Sequence, residues 1–210
     1  TIDSKDLPNT KEEFELNLDY LIDEVKNKRN LIWIYIDIQR SDFIPIATKR
    51  GFFFHSCEEG YILVVKRIKE NAIIPTAANH TLGVGAVVIN DKNEILVIKE
   101  RISNLGYKLP GGHIDNGEMI STAVSREVLE ETGIIVEFES IISLGHFYPH
   151  QFHKSNLYVI CTANPKTFEI NIQDIEEILD AKWVDVNAYL SDEKVLYYSK
   201  AIIVAALEKK

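Results

Sequence analysis

Residues 112–134 read GHIDNGEMISTAVSREVLEETGI. Four glutamates stand here, Glu118, Glu127, Glu130 and Glu131, and the last three crowd just ahead of Gly133. From 119 to 132 there is neither proline nor glycine, so this part predicts a helix. Pro110-Gly111-Gly112 breaks any strand before it, and Asp115-Asn116-Gly117 is a turn tripeptide. Gly133 suits a left-handed C-cap. Val124, Val128 and Thr132 recur at i,i+4 and give the helix an inward side. Glu127 and Glu131 are i,i+4 partners, with Glu130 three residues past Glu127. Three like charges on one face cost roughly a few tenths of a kcal/mol per pair unless something neutralises them. A cation bound by hard oxygen ligands would do so, magnesium being the usual one.

The segment resembles the Nudix box, G-x5-E-x7-R-E-U-x-E-E-x-G-U with U aliphatic. Gly112, Glu118, Arg126, Glu127, Val128, Glu130, Glu131, Gly133 and Ile134 fill every fixed place. An acidic, solvated surface helix would account for the close glutamates, but not for the arginine, the glycines and the loop before them. The resemblance implies an α/β fold, the Nudix α/β/α sandwich with a mixed sheet, and hydrolysis of a phosphoanhydride with Mg2+, or with Mn2+ in its place. Divalent cations held by Glu127, Glu130 and Glu131 would offset the charge of the phosphate oxygens and lower the pKa of bound water. The Gly112 carbonyl is a further candidate ligand, because a loop glycine lets backbone come close. Glu118 would reach a metal directly or through water. Arg126 would pair with Glu118 and hold the loop against the helix, behind the ligands. Glu177, six residues before Trp183, stands where the family often places a glutamate facing the metals, to position or deprotonate a water. A solvated loop charge is the plain alternative for Glu177.

Composition narrows the function classes. The 210 residues allow one large domain or two small ones, and 46% hydrophobic content is ample for a core. A net charge of −9 argues against a general binder of nucleic-acid backbone, which needs a cationic surface. It leaves room for a nucleotide, for which a local cation and bound metal suffice. Cys57 and Cys161 do not suggest a disulfide scaffold, and Cys161 in its apolar run reads as a buried hydrophobe. No stretch reads as a membrane span and no signal peptide opens the chain, so the default expectation is cytoplasmic.

Ahead of the box lies a separate pattern. Residues 1–10 are polar and read as a frayed arm or a capping region. Phe14, Leu18, Leu21 and Val25 fall at helical spacing. Residues 31–37 (LIWIYID) read as a strand, and 51–55 with 61–66 as a hairpin around Glu58-Glu59-Gly60. Pro45 argues against more than a short helical turn after Ser41. The unit resembles the small N-terminal domain that precedes the Nudix domain in a plant and animal subgroup. Its aromatic surface suggests a homodimer interface or a lid. The domains expected are 1–75, a small α/β unit, and 80–210, the Nudix domain with a C-terminal helix over 187–210.

In the second domain, 81–89 reads as a strand containing Gly83 and Gly85, where glycine implies close approach of backbone or ligand. Residues 95–100 follow as its expected hairpin partner. Tyr107 stands where many family members have tryptophan. After the box, 134–138, 141–144 and 156–162 read as strands. The loop from His146 to Lys154 carries three histidines, but it has neither fixed spacing nor a cysteine, and zinc is set aside. The box implies diphosphate hydrolysis, and the loops outside it would choose the substrate. Gly85, Arg101, Tyr107, Lys108, His146, Tyr148, Phe152 and Lys154 are the candidates, by stacking or by meeting phosphate. The subgroup resemblance points to ADP-ribose and NADH, cleaved to AMP and a second phosphate ester. Three alternatives stay open: an oxidised-nucleotide triphosphate pyrophosphohydrolase, an RNA decapping enzyme, and a non-catalytic nucleotide-binding module. The acidic balance weighs against long RNA as partner.

Overall fold

A computed structural model describes residues 1–103 and 106–208. The chain divides into two compact units, Thr1–Asn79 and His80–Lys210.

In the first unit, helix α1 (Lys11–Val25) starts where the Thr10 hydroxyl accepts from the amide of Glu13 at 3.2 Å. It buries Phe14 and Leu18. Strand β1 (Leu31–Asp37) alternates buried and half-buried residues, as a sheet with one covered face requires. Helix α2 (Ile44–Lys49) and strands β2 (Phe53–Cys57) and β3 (Tyr61–Arg67) complete the unit, in an antiparallel sheet ordered β1-β3-β2. Two expectations need correction. Pro45 opens α2 rather than preventing it, because a first-turn residue has no intrahelical amide bond to lose. The frayed arm is the other, since the capping alternative holds at Thr10 and the arm is tied down: Ile2 bridges to Ile34, the Ser4 hydroxyl accepts from the Asp37 amide, and Arg40 donates to the carbonyls of Leu7 and Pro8.

The second unit is an α/β/α sandwich. Strands β4 (His80–Val88), β5 (Glu94–Glu100), β6 (Val136–Phe147), β7 (Ser155–Pro165) and β8 (Ile178–Asp185) lie between helix α3 (Ile120–Thr132) and helices α4 (Val186–Ser191) and α5 (Tyr197–Leu207). Side-chain alternation sorts the layers. Val84, Ala86, Val88, Leu96, Val159 and Cys161 pack with Val124 and Val128 of α3. Val87, Ile95, Val97 and Ile160 pack with Tyr189, Ile202 and Ile203 on the other side. Burial pushes the Cys161 thiol up to about 11, in keeping with an inert hydrophobe. Cys57 is exposed.

The expected hairpin of 81–89 with 95–100 does not form. β4 pairs with β7 in parallel and β5 with β8 antiparallel, leaving a single bridge, Ile89 to Ile95. The free edges are taken by the segment ahead of α3. The amides of Ala86 and Val84 donate to the carbonyls of Pro110 and Gly112, and Ile98 and Lys108 exchange both bonds, all at 2.9 Å. The box loop is thereby sewn between β4 and β5, which fixes Gly111 and Gly112. The two strands expected at 134–138 and 141–144 are one strand, β6, with register shifts at Phe138/Ser140 and Ile141/Ser143, and it takes in His146 and Phe147. The C-terminal helix is two helices. Asp192 breaks it by accepting from the amide of Lys194, so Val195 is buried ahead of α5. The last two residues of the expected span 187–210 lie outside the described residues.

Candidate active site

Helix α3 closes at Gly133, which is left-handed at φ 75° as its C-cap position demands. The carbonyls freed at that end are taken by the chain after β7. The amide of Asn171 donates to Thr132, and those of Gln173 and Asp174 donate to Glu130, each at 2.9 Å. This capping leads the chain to Glu177, whose carbonyl accepts from the Arg101 amide.

Arg126 organises the helix's outer carboxylates. Its Nε and Nη2 grip both oxygens of Glu118, at 3.0 and 2.9 Å. Nη2 also donates to the His113 carbonyl at 3.0 Å, and Nη1 to Glu127 at 2.9 Å and Glu130 at 3.1 Å. The loop is thus clamped to the helix. Arg126's hydrogen bonds hold the Glu118 carboxyl below the usual range, and Glu118 in turn raises the guanidinium.

The inner carboxylates differ. Glu131 is buried and accepts from the Gly111 amide at 2.6 Å. Burial pushes it up to about 8, with the charges of Glu127 and Glu177 adding to the rise while the Gly111 amide and Lys108 oppose it. Burial, with the charges of Glu130 and Glu177, also raises Glu127, against the opposing pull of Arg126. Glu127 lies against Gly112, where a Cβ would stand 2.7 Å from its carboxylate. Lys108 is ion-paired with Glu100.

A cavity of about 350 Å3 adjoins these groups, lined among others by Glu100, Lys108, Gly111, Gly112, Tyr158 and Glu177. Tyr158 and Glu100 line the cavity although sequence reasoning did not single them out, and His150 lines it from the 146–154 loop. Tyr158 pairs in register with Gly83, and its ring covers β4: a Cβ on Gly83 would sit 2.7 Å from the ring, and one on Gly85 2.9 Å. Gly85 therefore makes room for a tyrosine. His150 Nδ1 is buried with no partner among the described residues.

The other sequence candidates lie elsewhere. Tyr107 packs in the core beside α4; its hydroxyl donates to Asp180 at 2.5 Å, and Lys182 sits 3.7 Å above its ring. Arg101 Nε donates to the Ile175 carbonyl at 2.6 Å and so supports the Glu177 loop. His146 meets His80 at 3.2 Å between Nε2 atoms. Tyr148, Phe152 and Lys154 are exposed, with Phe152 at positive φ in the short turn that brings His150 and Gln151 to the cavity.

Among the described residues no three His, Cys, Asp or Glu side chains close on an ion as they stand. Arg126 spans Glu127 and Glu130, and Glu131 is turned to Gly111. The donor set nevertheless suits a hard dication. It is all oxygen, and Glu127 and Glu131 are both driven toward protonation by burial and by neighbouring negative charge. A cation would relieve both.

The chain matches the NUDIX domain model over residues 79–204 and the Nudix hydrolase domain model over residues 1–68. Nudix hydrolase 8 of Arabidopsis thaliana is 36% identical over 171 residues, covering 78% of this chain and 46% of that protein. Nucleoside diphosphate-linked moiety X motif 6 of Xenopus laevis is 38% identical over 164 residues, 75% of each chain. The NUDIX domain of Shewanella oneidensis NrtR, solved in complex with ADP ribose, shares the fold at a TM-score of 0.53 and 23% identity, over 63% of this chain and 90% of that one. The chain spans between 46% and 62% of the first three Arabidopsis relatives' lengths. No helix among the described residues is long and apolar enough to cross a membrane.

Proposed function

The chain belongs to the Nudix hydrolase family, and from that premise we propose that it cleaves the diphosphate bridge of ADP-ribose or NADH, giving AMP and a second phosphate ester. The observation that carries the reading is that Glu127 and Glu131 stand directly behind Gly112 and Gly111, which line a cavity together with Glu177 and Lys108. Nudix hydrolases generally use divalent metal ions, typically Mg2+. In this chain Glu127, Glu130 and Glu131, with the Gly112 carbonyl and Glu118 behind them, would hold it. When bound, the cation would offset the negative charge of the phosphate oxygens and supply a water of lowered pKa.

The chain's own groups do the rest. Arg126 keeps Glu118 and the 113–118 loop against α3, so the carboxylates stay fixed during turnover. Lys108 brings positive charge to the cavity wall for a phosphate oxygen. Glu177 accepts the proton of the attacking water at its carboxylate. The partly exposed aromatics of the first unit, Phe53 and Phe54 among them, are part of the same proposal as a homodimer contact, which sedimentation measures.

The test is an assay with magnesium or manganese on ADP-ribose, NADH, NAD, coenzyme A, a capped RNA fragment and 8-oxo-dGTP, with products resolved. AMP from ADP-ribose or NADH is the expected result. Pyrophosphate from the triphosphate, with the others untouched, overturns the choice of substrate. Release from the capped RNA alone would make the protein a decapping enzyme. Absence of turnover on every compound would leave a binding module.

A further inference from the structure

Among the described residues Tyr158 is the one tyrosine that lines the cavity. It is the fourth residue of β7 and packs against the core on the α4/α5 side, and its ring also lies over two glycines of the neighbouring strand, Gly83 and Gly85. The hydroxyl stands over the box loop, 2.9 Å from where a Cβ on Gly111 would be and 3.1 Å from one on Gly85. Three backbone positions on two segments are therefore glycine where this side chain passes, and its end reaches the place where Gly111 meets Glu131.

The hydroxyl has no hydrogen-bond partner among the described residues, although its neighbours are rich in acceptors. Burial raises the phenol above its ordinary value, and the charges of Glu131, Glu127 and Glu100 raise it further. A tyrosine hydroxyl is an O–H donor at neutral pH in any case. A donor held at a cavity wall without a protein partner is free to meet an acceptor on a ligand. Carboxylates bound to a cation have less to offer it, whereas a diphosphate brings several anionic oxygens.

We propose that the Tyr158 hydroxyl donates a hydrogen bond to a non-bridging oxygen of the bound diphosphate, on the side that faces β4 and β7. This rests on the reading of the cavity as a diphosphate site. It assigns to the wall of the sheet a specificity contact that the box does not contain. Gly83 and Gly85 then serve the substrate indirectly, by allowing the ring to lie flat enough for its hydroxyl to reach the cavity.

Tyr158→Phe tests it, because the ring still covers the glycines and only the donor is removed. Binding of the non-hydrolysable α,β-methylene analogue of ADP, with magnesium, is measured by calorimetry on the full chain, alongside turnover. Loss of one hydrogen bond to a charged oxygen predicts binding weaker by about tenfold or more. Where the variant still turns over substrate, the loss should appear chiefly in KM, with the pH profile unchanged. If the parent binds the analogue but hydrolyses nothing, the reading as a hydrolase fails while weaker binding by the variant still supports the contact. Equal binding by parent and variant would overturn the proposal. So would a parent that does not bind the analogue, or a variant that fails to fold, since the hydroxyl would then be serving the protein itself.

Discussion

Each unit of the chain contains one arginine gripped by several carboxylates, and the two knots are chemically alike. In the first unit Arg50 donates to Asp19 at 2.6 and 2.8 Å and to Glu15 at 2.8 Å, joining α1 to the end of α2. Both of those carboxylates are more than half exposed. Arg50's hydrogen bond holds Asp19 below its ordinary range, so the ion pair is satisfied where it stands. In the second unit Arg126 meets Glu118, Glu127 and Glu130, while Glu131 next to them is buried and driven up to about 8. One arginine cannot balance that set. The difference teaches that a carboxylate knot alone says little about function. What distinguishes a site is negative charge left over in a desolvated place beside a cavity.

Removal of an inner ligand should have the largest effect. Glu127→Gln keeps the shape and deletes one charge, and turnover should fall by about a hundredfold or more while the circular dichroism spectrum stays that of the parent. Glu130→Gln should act in the same direction, but less, because Glu130 is nearly half exposed. Parent-like magnesium-dependent turnover in both variants would sink the assigned mechanism. Arg126→Leu comes next. It leaves the inner carboxylates in place but frees Glu118 and the 113–118 loop, so about tenfold to a hundredfold loss is expected, as for other residues that orient metal ligands. Glu177→Gln should be milder, and turnover equal to the parent's would exclude Glu177 as the base.

How much of this was legible in the sequence follows from how local each signal is. Helix α3, its Gly133 cap and the Glu118–Arg126 pair are set by residues within a few turns of one another, and the spacing announces them. The edges of β4 and β5 are different. Their partners are the carbonyls of Pro110, Gly112 and Lys108, which carry no side-chain pattern, so the strands read as a hairpin although they are kept apart. Tyr107 sits in a loop that flanks the site, yet its hydroxyl is taken by Asp180, distant in sequence. Tyr158 looks like any aromatic in NLYVICT. The signal that points to it lies on another strand, where Gly83 and Gly85, two residues apart on one face, ask for a bulky neighbour. Asp192 is similar on a shorter scale: an apolar stripe predicts one helix, and an aspartate that prefers its own backbone turn divides it.

The smallest expected effect belongs to the other knot, and it bears most directly on the comparison. Arg50→Leu removes the link from α2 to Glu15 and Asp19, and it also frees the Arg50 contact with the Ile46 carbonyl. Because the two carboxylates remain well solvated once released, neither is stranded, and only a modest drop in thermal midpoint is expected. The drop should shrink as salt is raised, since exposed pairs are screened within about 10 Å at 0.1 M ionic strength. Turnover per folded molecule should equal the parent's, and magnesium should raise the thermal midpoint of parent and variant by the same amount, whereas it should raise that of Glu127→Gln less. A fall in turnover comparable to that of Arg126→Leu would break the distinction. It would mean that the first unit takes part in the chemistry and that its arginine is not simply a link between two helices.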